Sequence, residues 1–198
     1  MADDVAGLLG HLGLASIAIV GLSLGGAIAQ ELAISQPKLA RRLVLIATYD
    51  AGDLRGTAIF NQFARLRRIL PREDFHRTLL PWIYTSREFE SVISQDEVVQ
   101  RLSQDALFQE SEAYERQMEA TVRFHSRDRL DQIVCPTLLI HGDEDLITPI
   151  RFARSLEAGI RGSRLAILSG AGHGIVWTRP SEVAALIDGF LKEMPCPS

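Results

Sequence analysis

A glycine-flanked serine placed directly behind a buried-strand pattern constrains this chain more than any other feature. Ser16-Ile17-Ala18-Ile19-Val20 runs straight into Gly21-Leu22-Ser23-Leu24-Gly25, and a helical pattern from Ala27 to Ser35 follows at once. A strand that reverses this sharply into a helix leaves little room for a Cβ. The glycines two before and two after the serine are therefore expected to be steric requirements, with Gly26 extending the same clearance. Such a turn pushes the Ser23 hydroxyl out at the carboxyl end of a sheet.

The rest of the chain supplies the sheet. Val5, Leu8, Leu9 and Leu12 recur at i, i+3, i+4 and i+7, so the chain opens with an amphipathic helix that Gly13 caps. Strands are predicted at 17–21, 43–47, 137–141 and 164–168, all strongly apolar, with helical patterns between them. Continuous apolar strands alternating with helices specify a parallel sheet covered on both faces. The expected fold class is thus α/β, with about four parallel strands flanked by helices. Helices are also expected at 149–158 and at 181–193, the last behind a cap at Ser181.

Residues 51–132 differ in character. They carry 12 Arg and 14 Asp or Glu out of the chain's 46 charged residues, and no convincing strand. Helices are predicted at 59–70, 94–107 and 110–125, with Pro71 and Pro81 as boundaries. A charge-rich helical insertion between two buried strands reads as a cap (51–132) on a core formed by 1–50 and 133–198. Trp82, Phe89 and Phe108 are candidates to line a pocket beneath it, although ordinary packing within the cap is the simpler role.

Composition narrows the function. The chain has 198 residues, 46% of them hydrophobic, enough for a sizeable core. A net charge of −4 with one compact basic cluster, Arg65-Leu66-Arg67-Arg68, gives no footprint for nucleic acid. Cys135 and Cys196 lie far apart without metal-ligand spacing, so no metal and no cofactor are expected. The acidic start Met1-Ala2-Asp3-Asp4 lacks the basic opening of a secretory signal, and no apolar run is long enough to span a bilayer. A soluble, cytoplasmic protein without a membrane partner is the expectation.

A serine hydroxyl is a poor nucleophile until an oriented base takes its proton. His173 lies in Gly170-Ala171-Gly172-His173-Gly174, directly after the last predicted strand, and Asp145 lies in His141-Gly142-Asp143-Glu144-Asp145, directly after the one before. Parallel strands bring their carboxyl ends to one edge, so three loops distant in sequence converge. The order is serine, acid, histidine. Two other acids compete with Asp145: Asp143 in the same loop and Asp50 after the second strand. His141 suits a strand-end structural role, and His11, His76 and His125 suit helix-surface or cap positions.

Taken together, these features resemble the α/β-hydrolase superfamily, and in particular its small esterases, enol-lactonases and cofactor-free haloperoxidase-like members with a helical cap. The likeness rests on Ile19 to Gly26, Leu43 to Ala47, Pro136 to Pro149 and Gly170 to Pro180. The resemblance implies Ser23 as nucleophile, His173 as general base and acid, and Asp145 as orienting carboxylate, since Gly142, Asp145 and Pro149 match the family's acid loop. It also implies an acyl-enzyme on a small ester or lactone, with the Leu24 N–H as one oxyanion donor. Carbon–carbon bond hydrolysis or perhydrolysis on the same triad is the alternative chemistry.

The chain departs from the family in one respect. Complete members carry several strands before the elbow, one of whose loops supplies the second oxyanion donor, whereas here a single helix precedes it. An amino-terminally incomplete chain is therefore expected, with the strand before Ser23 at an exposed edge open to pairing with another copy. A half-built oxyanion hole, typically worth about 10²–10³ in rate, makes an inactive fragment the non-enzymatic alternative.

Overall fold

Four short apolar segments form one parallel sheet in the computed structural model, which describes residues 1–91, 94–106 and 108–193. Helix α1 (Ala2–His11) leads through Gly13, whose φ of +67° ends the helix as expected, into β1 (Ile17–Leu22). Helix α2 (Leu24–Ser35) returns the chain to β2 (Ala40–Ile46). After a long helical insertion come β3 (Thr137–Gly142), α8 (Arg151–Gly159) and β4 (Arg164–Leu168). The strands lie in the order β1-β2-β3-β4.

Alternation along the strands decides what each face buries. Leu43, Leu45 and Leu139 pack with Ala29 and Ala33 of α2 and with Leu156 and Ile160 at α8. Val44, Ile46, Leu138 and Ile140 point the other way, onto Ile175, Val183 and Phe190. Both faces of β2 and β3 are thus dry, which explains their unbroken apolar runs. β1 sits at an edge of this sheet, and Val20 remains 49% exposed there.

β2 begins three residues earlier than its apolar run. Arg42 is buried because its guanidinium lies over the Phe190 ring and donates to the Glu193 carbonyl, so a charged residue is carried into the strand. The last helix, α10 (Pro180–Lys192), follows the short α9 (Ile175–Thr178). Ser181 lies inside α10 and makes no cap; the fixed φ of Pro180 starts the helix instead.

Between β2 and β3 the chain builds α3 (Leu54–Ile69), α4 (Arg72–Ile83), α5 (Ser86–Ser91), α6 (Gln95–Ser103) and α7 (Ser111–Arg123), then a 3-10 turn at Arg127–Gln132. Pro81 does not end a helix. It stands in the last turn of α4, where its missing N–H forfeits a single backbone bond. The predicted helix 94–107 stops at Ser103, and Leu107 and Cys196 lie outside the described residues. Trp82 stacks edge-on with Phe63, Phe89 with Tyr84, and Phe108 lies between the Arg67 and Arg72 guanidiniums, so all three aromatics pack within the insertion.

The insertion leaves and rejoins the core at one point. Ala51 and His125 form an antiparallel bridge, Gly52 N–H donates to the Phe124 carbonyl at 3.2 Å, and Ser126 N–H donates to the Asp50 carbonyl at 2.7 Å. Beneath this joint, the buried Gln30 of α2 donates to the Tyr49 carbonyl and accepts from Ser126 Oγ. Among the described residues no helix is long and apolar enough to cross a membrane.

Candidate active site

Ser23 occupies the sharp turn between β1 and α2, with φ 52° and ψ −119°. That backbone region is costly for a residue with a side chain, on the order of 1–3 kcal/mol, and survives only where the surroundings over-determine it. Here the end of β2 and the segment just after it hold both ends of the residue. Ser23 N–H donates to the Ile46 carbonyl at 2.9 Å, and Thr48 Oγ1 donates to the Ser23 carbonyl at 2.7 Å.

The expected steric role of the flanking glycines is only partly met. A Cβ on Gly21 would fall 2.7 Å from the Gly25 carbonyl carbon, and one on Gly26 would fall 2.6 Å from Thr48 Cβ. Gly25, in contrast, faces open space, with nothing within 4 Å of its would-be Cβ. The clearance is therefore needed at Gly21, which faces the backbone of Gly25 and Gly26 at the start of α2, and at Gly26, which faces the Thr48 side chain just after β2.

The three loops predicted to converge do so. His173 Nε2 lies 3.0 Å from Ser23 Oγ, and His173 Nδ1 lies 2.8 Å from Asp145 Oδ2. Ser23 follows β1, Asp145 follows β3 and His173 follows β4, so strand polarity alone gathers them. The two later loops are also pressed together: a Cβ on Gly142 would fall 2.7 Å from the Ala171 carbonyl carbon.

Asp145 is buried and fully engaged. Oδ1 accepts the N–H groups of Ile147 and Thr148, both at 2.8 Å, while Oδ2 accepts Thr148 Oγ1 at 2.7 Å as well as the histidine. Burial pushes its pKa up, but the hydrogen bond and charge of His173, the nearby His141 and the Thr148 N–H outweigh it. The carboxyl is held below its ordinary 3.8 and stays ionised. Thr148 was not singled out from the sequence, where nothing marks a threonine in a loop as a carboxylate donor.

His141 lies 3.8 Å from the same Oδ2 and shares a hydrogen bond with the Thr148 carbonyl. Burial, reinforced by His173, holds its pKa below 6.5 against the pull of Asp145 and that carbonyl. The neutral ring donates its Nε2 proton to the carbonyl and braces the acid loop, the strand-end structural role expected for it.

The competing acids lie elsewhere. Asp50 is fully buried, paired through both oxygens with Arg127 at 2.7 and 3.1 Å, and accepts Ser155 Oγ at 2.6 Å. Asp143 is exposed; it accepts the Gly170 N–H at 2.7 Å and Ser169 Oγ at 3.1 Å, tying the start of the histidine loop to the acid loop. Leu24, the residue expected to offer an oxyanion N–H, is the first residue of α2. A small apolar pocket, lined in part by Tyr49, Phe60, Val122, Ile147 and Phe152, borders the site at Thr148. Among the described residues there is no cluster of metal-ligating side chains.

Known proteins share this architecture. A family profile described as the alpha/beta hydrolase family matches residues 1–186. RutD of Serratia proteamaculans, which bears a provisional carbamate-hydrolase name, is 29% identical over 195 residues, 96% of this chain and 71% of that protein. The pimeloyl-[acyl-carrier protein] methyl ester esterase of Neisseria meningitidis is 28% identical over 184 residues, covering 88% of this chain and 68% of its own length. A thermophilic esterase from Thermogutta terrifontis superimposes with a TM-score of 0.81 at 28% identity, over 96% of this chain and 70% of that one. The chain belongs to the α/β-hydrolase family and is a hydrolase enzyme of that fold.

Proposed function

We propose that the protein is a serine hydrolase of small carboxylic esters or lactones that works through an acyl-enzyme. The observation that carries this reading is the unbroken relay from Ser23 Oγ through His173 to Asp145, at 3.0 and 2.8 Å. Ser23 Oγ attacks the substrate carbonyl while His173 Nε2 takes its proton. The negative charge that develops on the carbonyl oxygen faces the Leu24 N–H at the amino end of α2, whose dipole favours it. Collapse of the tetrahedral species breaks the bond to the alcohol oxygen, which leaves with the proton from His173.

Water then enters. His173 takes a proton from it as it attacks the acyl carbon, the acid is released and Ser23 regains its proton. Asp145, ionised and held by three donors besides the histidine, keeps the Nδ1 proton in place and stabilises the imidazolium formed in both steps. The ester substrate class is supported by the ester-hydrolase names of two of the relatives.

The test pairs the native protein with Ser23→Ala on p-nitrophenyl acetate, together with labelling by a fluorophosphonate. Turnover is expected to fall by about 10³-fold or more in the variant, with the label attached to Ser23 in the native protein and absent from Ser23→Ala. Equal turnover in the two proteins would refute the assignment.

A further inference from the structure

The histidine loop lies against the helical insertion, at the corner between α4 and α5. Gly174 N–H donates to the Ile83 carbonyl across this contact at 2.8 Å. A Cβ on Gly172 would fall 2.7 Å from Ile83 O, 3.1 Å from Glu88 Oε2 and 3.2 Å from Thr85 Cγ2. One on Gly174 would fall 2.8 Å from Tyr84 Cδ1. Both neighbours of His173 therefore touch the corner backbone to backbone or backbone to side chain, with no space between.

The corner is fixed by a local device. Thr85 N–H donates to Glu88 Oε2 at 2.8 Å and Glu88 N–H donates to Thr85 Oγ1 at 3.3 Å, a reciprocal capping box at the start of α5. Such boxes normally sit in water, where the carboxylate is hydrated. Glu88 is only 3% exposed, and its Oε1 has no hydrogen-bond partner among the described residues. Burying a carboxylate this far is unfavourable, and capping a six-residue helix does not require it. What the burial does achieve is contact with Gly172.

We propose that the Ile83–Glu88 corner is a positioning element for His173, with Glu88 as its positioning residue. The carboxylate holds Thr85, which fixes the Ile83 carbonyl and the Tyr84 ring that seat Gly174 and Gly172. The seat in turn sets where His173 Nε2 stands relative to Ser23 Oγ. The inference rests on His173 serving as the general base. It makes the insertion part of the catalytic framework as well as a wall beside it.

The experiment compares Glu88→Ala and Glu88→Gln with the native protein, using kcat and KM on p-nitrophenyl acetate and the downfield proton resonance of His173 Nδ1–H, identified by its loss in His173→Gln. Glu88→Gln keeps an oxygen for the Thr85 N–H and is expected to retain kcat within about 1.5-fold, with the resonance in place. Glu88→Ala is expected to lower kcat by about 10–100-fold with KM within about twofold, and to broaden or shift the resonance, since a displacement near 1 Å has consequences of this size. A native line and native kcat in a folded Glu88→Ala protein would overturn the proposal, as would a change confined to KM.

Should Glu88→Ala fail to fold, Thr85→Val removes one hydroxyl of the box while keeping a methyl group against Gly172. It carries the same expectations at about threefold, and a native line and native kcat would overturn the proposal equally. The resonance separates this inference from the proposed reaction. A native protein that turns over no ester, yet loses the His173 line on Glu88→Ala, would sink the reaction and support the positioning.

Discussion

Replacing Asp145 by asparagine should invert the histidine and not merely weaken its support. Oδ1 receives two backbone N–H groups, from Ile147 and Thr148 at 2.8 Å each, and neither donor can turn away. The carbonyl oxygen of an asparagine must therefore take that position, which forces its NH₂ into the place of Oδ2. There it faces His173 Nδ1 at 2.8 Å and Thr148 Oγ1 at 2.7 Å. The threonine hydroxyl can rotate to accept, but the imidazole has to present a lone pair at Nδ1. Its proton then sits on Nε2, aimed at Ser23 Oγ 3.0 Å away, and the base has become a donor. A wrong tautomer of this kind lowers kcat by about 10⁴, or roughly 5.4 kcal/mol of barrier.

The same exchange at the competing acids should behave differently. Asp50→Asn keeps an oxygen for Arg127, whose side chain is 50% exposed and can reach water. It should cost about 1.5–3 kcal/mol of stability, the range for a hydrogen bond to a charged group, with kcat per folded molecule within about threefold of native. Asp143→Asn, at the surface, should change kcat as little. Initial rates on p-nitrophenyl acetate, scaled to the folded fraction from a parallel melt, decide the matter. Asp145→Asn retaining more than a tenth of native kcat, or Asp50→Asn losing as much as Asp145→Asn, would refute the reasoning.

Two further outcomes follow from the geometry. Gly21→Ala should lose about 3 kcal/mol or fail to express, because its Cβ meets backbone that cannot yield, whereas Gly25→Ala has open space and should gain up to about 1 kcal/mol from helix propensity; chemical denaturation of both variants checks this. Acid should destabilise the protein in two stages. The lowered His141 pKa means that stability is complete above about 6.5 and falls below it, as the unfolded chain binds a proton that the native ring refuses. The lowered Asp145 pKa adds a loss below 3.8, as pH falls through its native value, and Asp145→Asn should reduce that second stage in urea titrations between pH 8 and pH 3, leaving the shares of Glu31 and Asp53, whose pKa values are lowered as well.

Much of this site could be read from the chain because it depends on local order. Each candidate residue follows its own apolar strand, and parallel strands end at the same edge, so Ser23, Asp145 and His173 needed no knowledge of packing to be brought together. What stayed hidden depends on contacts distant in sequence. Arg42 extends β2 only because Phe190 and the Glu193 carbonyl receive it 148 residues or more away. Pro81 suggested a boundary, since a proline's effect depends on how many turns remain beyond it. Gly25 looked as constrained as Gly21 because a pentapeptide does not show which of its glycines the turning backbone crowds. The pairing of Glu88 with Gly172 leaves no local trace in either segment.

The joint where the insertion meets the core has a consequence for how such chains diversify. Its two ends are stitched to each other by the Ala51–His125 bridge and the Asp50–Ser126 hydrogen bond, so the core closes on itself whatever lies between. Residues 53 to 123 could be exchanged for another helical segment without reopening β2 or β3, because loop length beyond a closed neck adds little entropy. A graft of that kind would change the walls around the substrate. It would also have to bring its own seat for Gly172 and Gly174, so a new specificity and a working histidine would be inherited together or not at all.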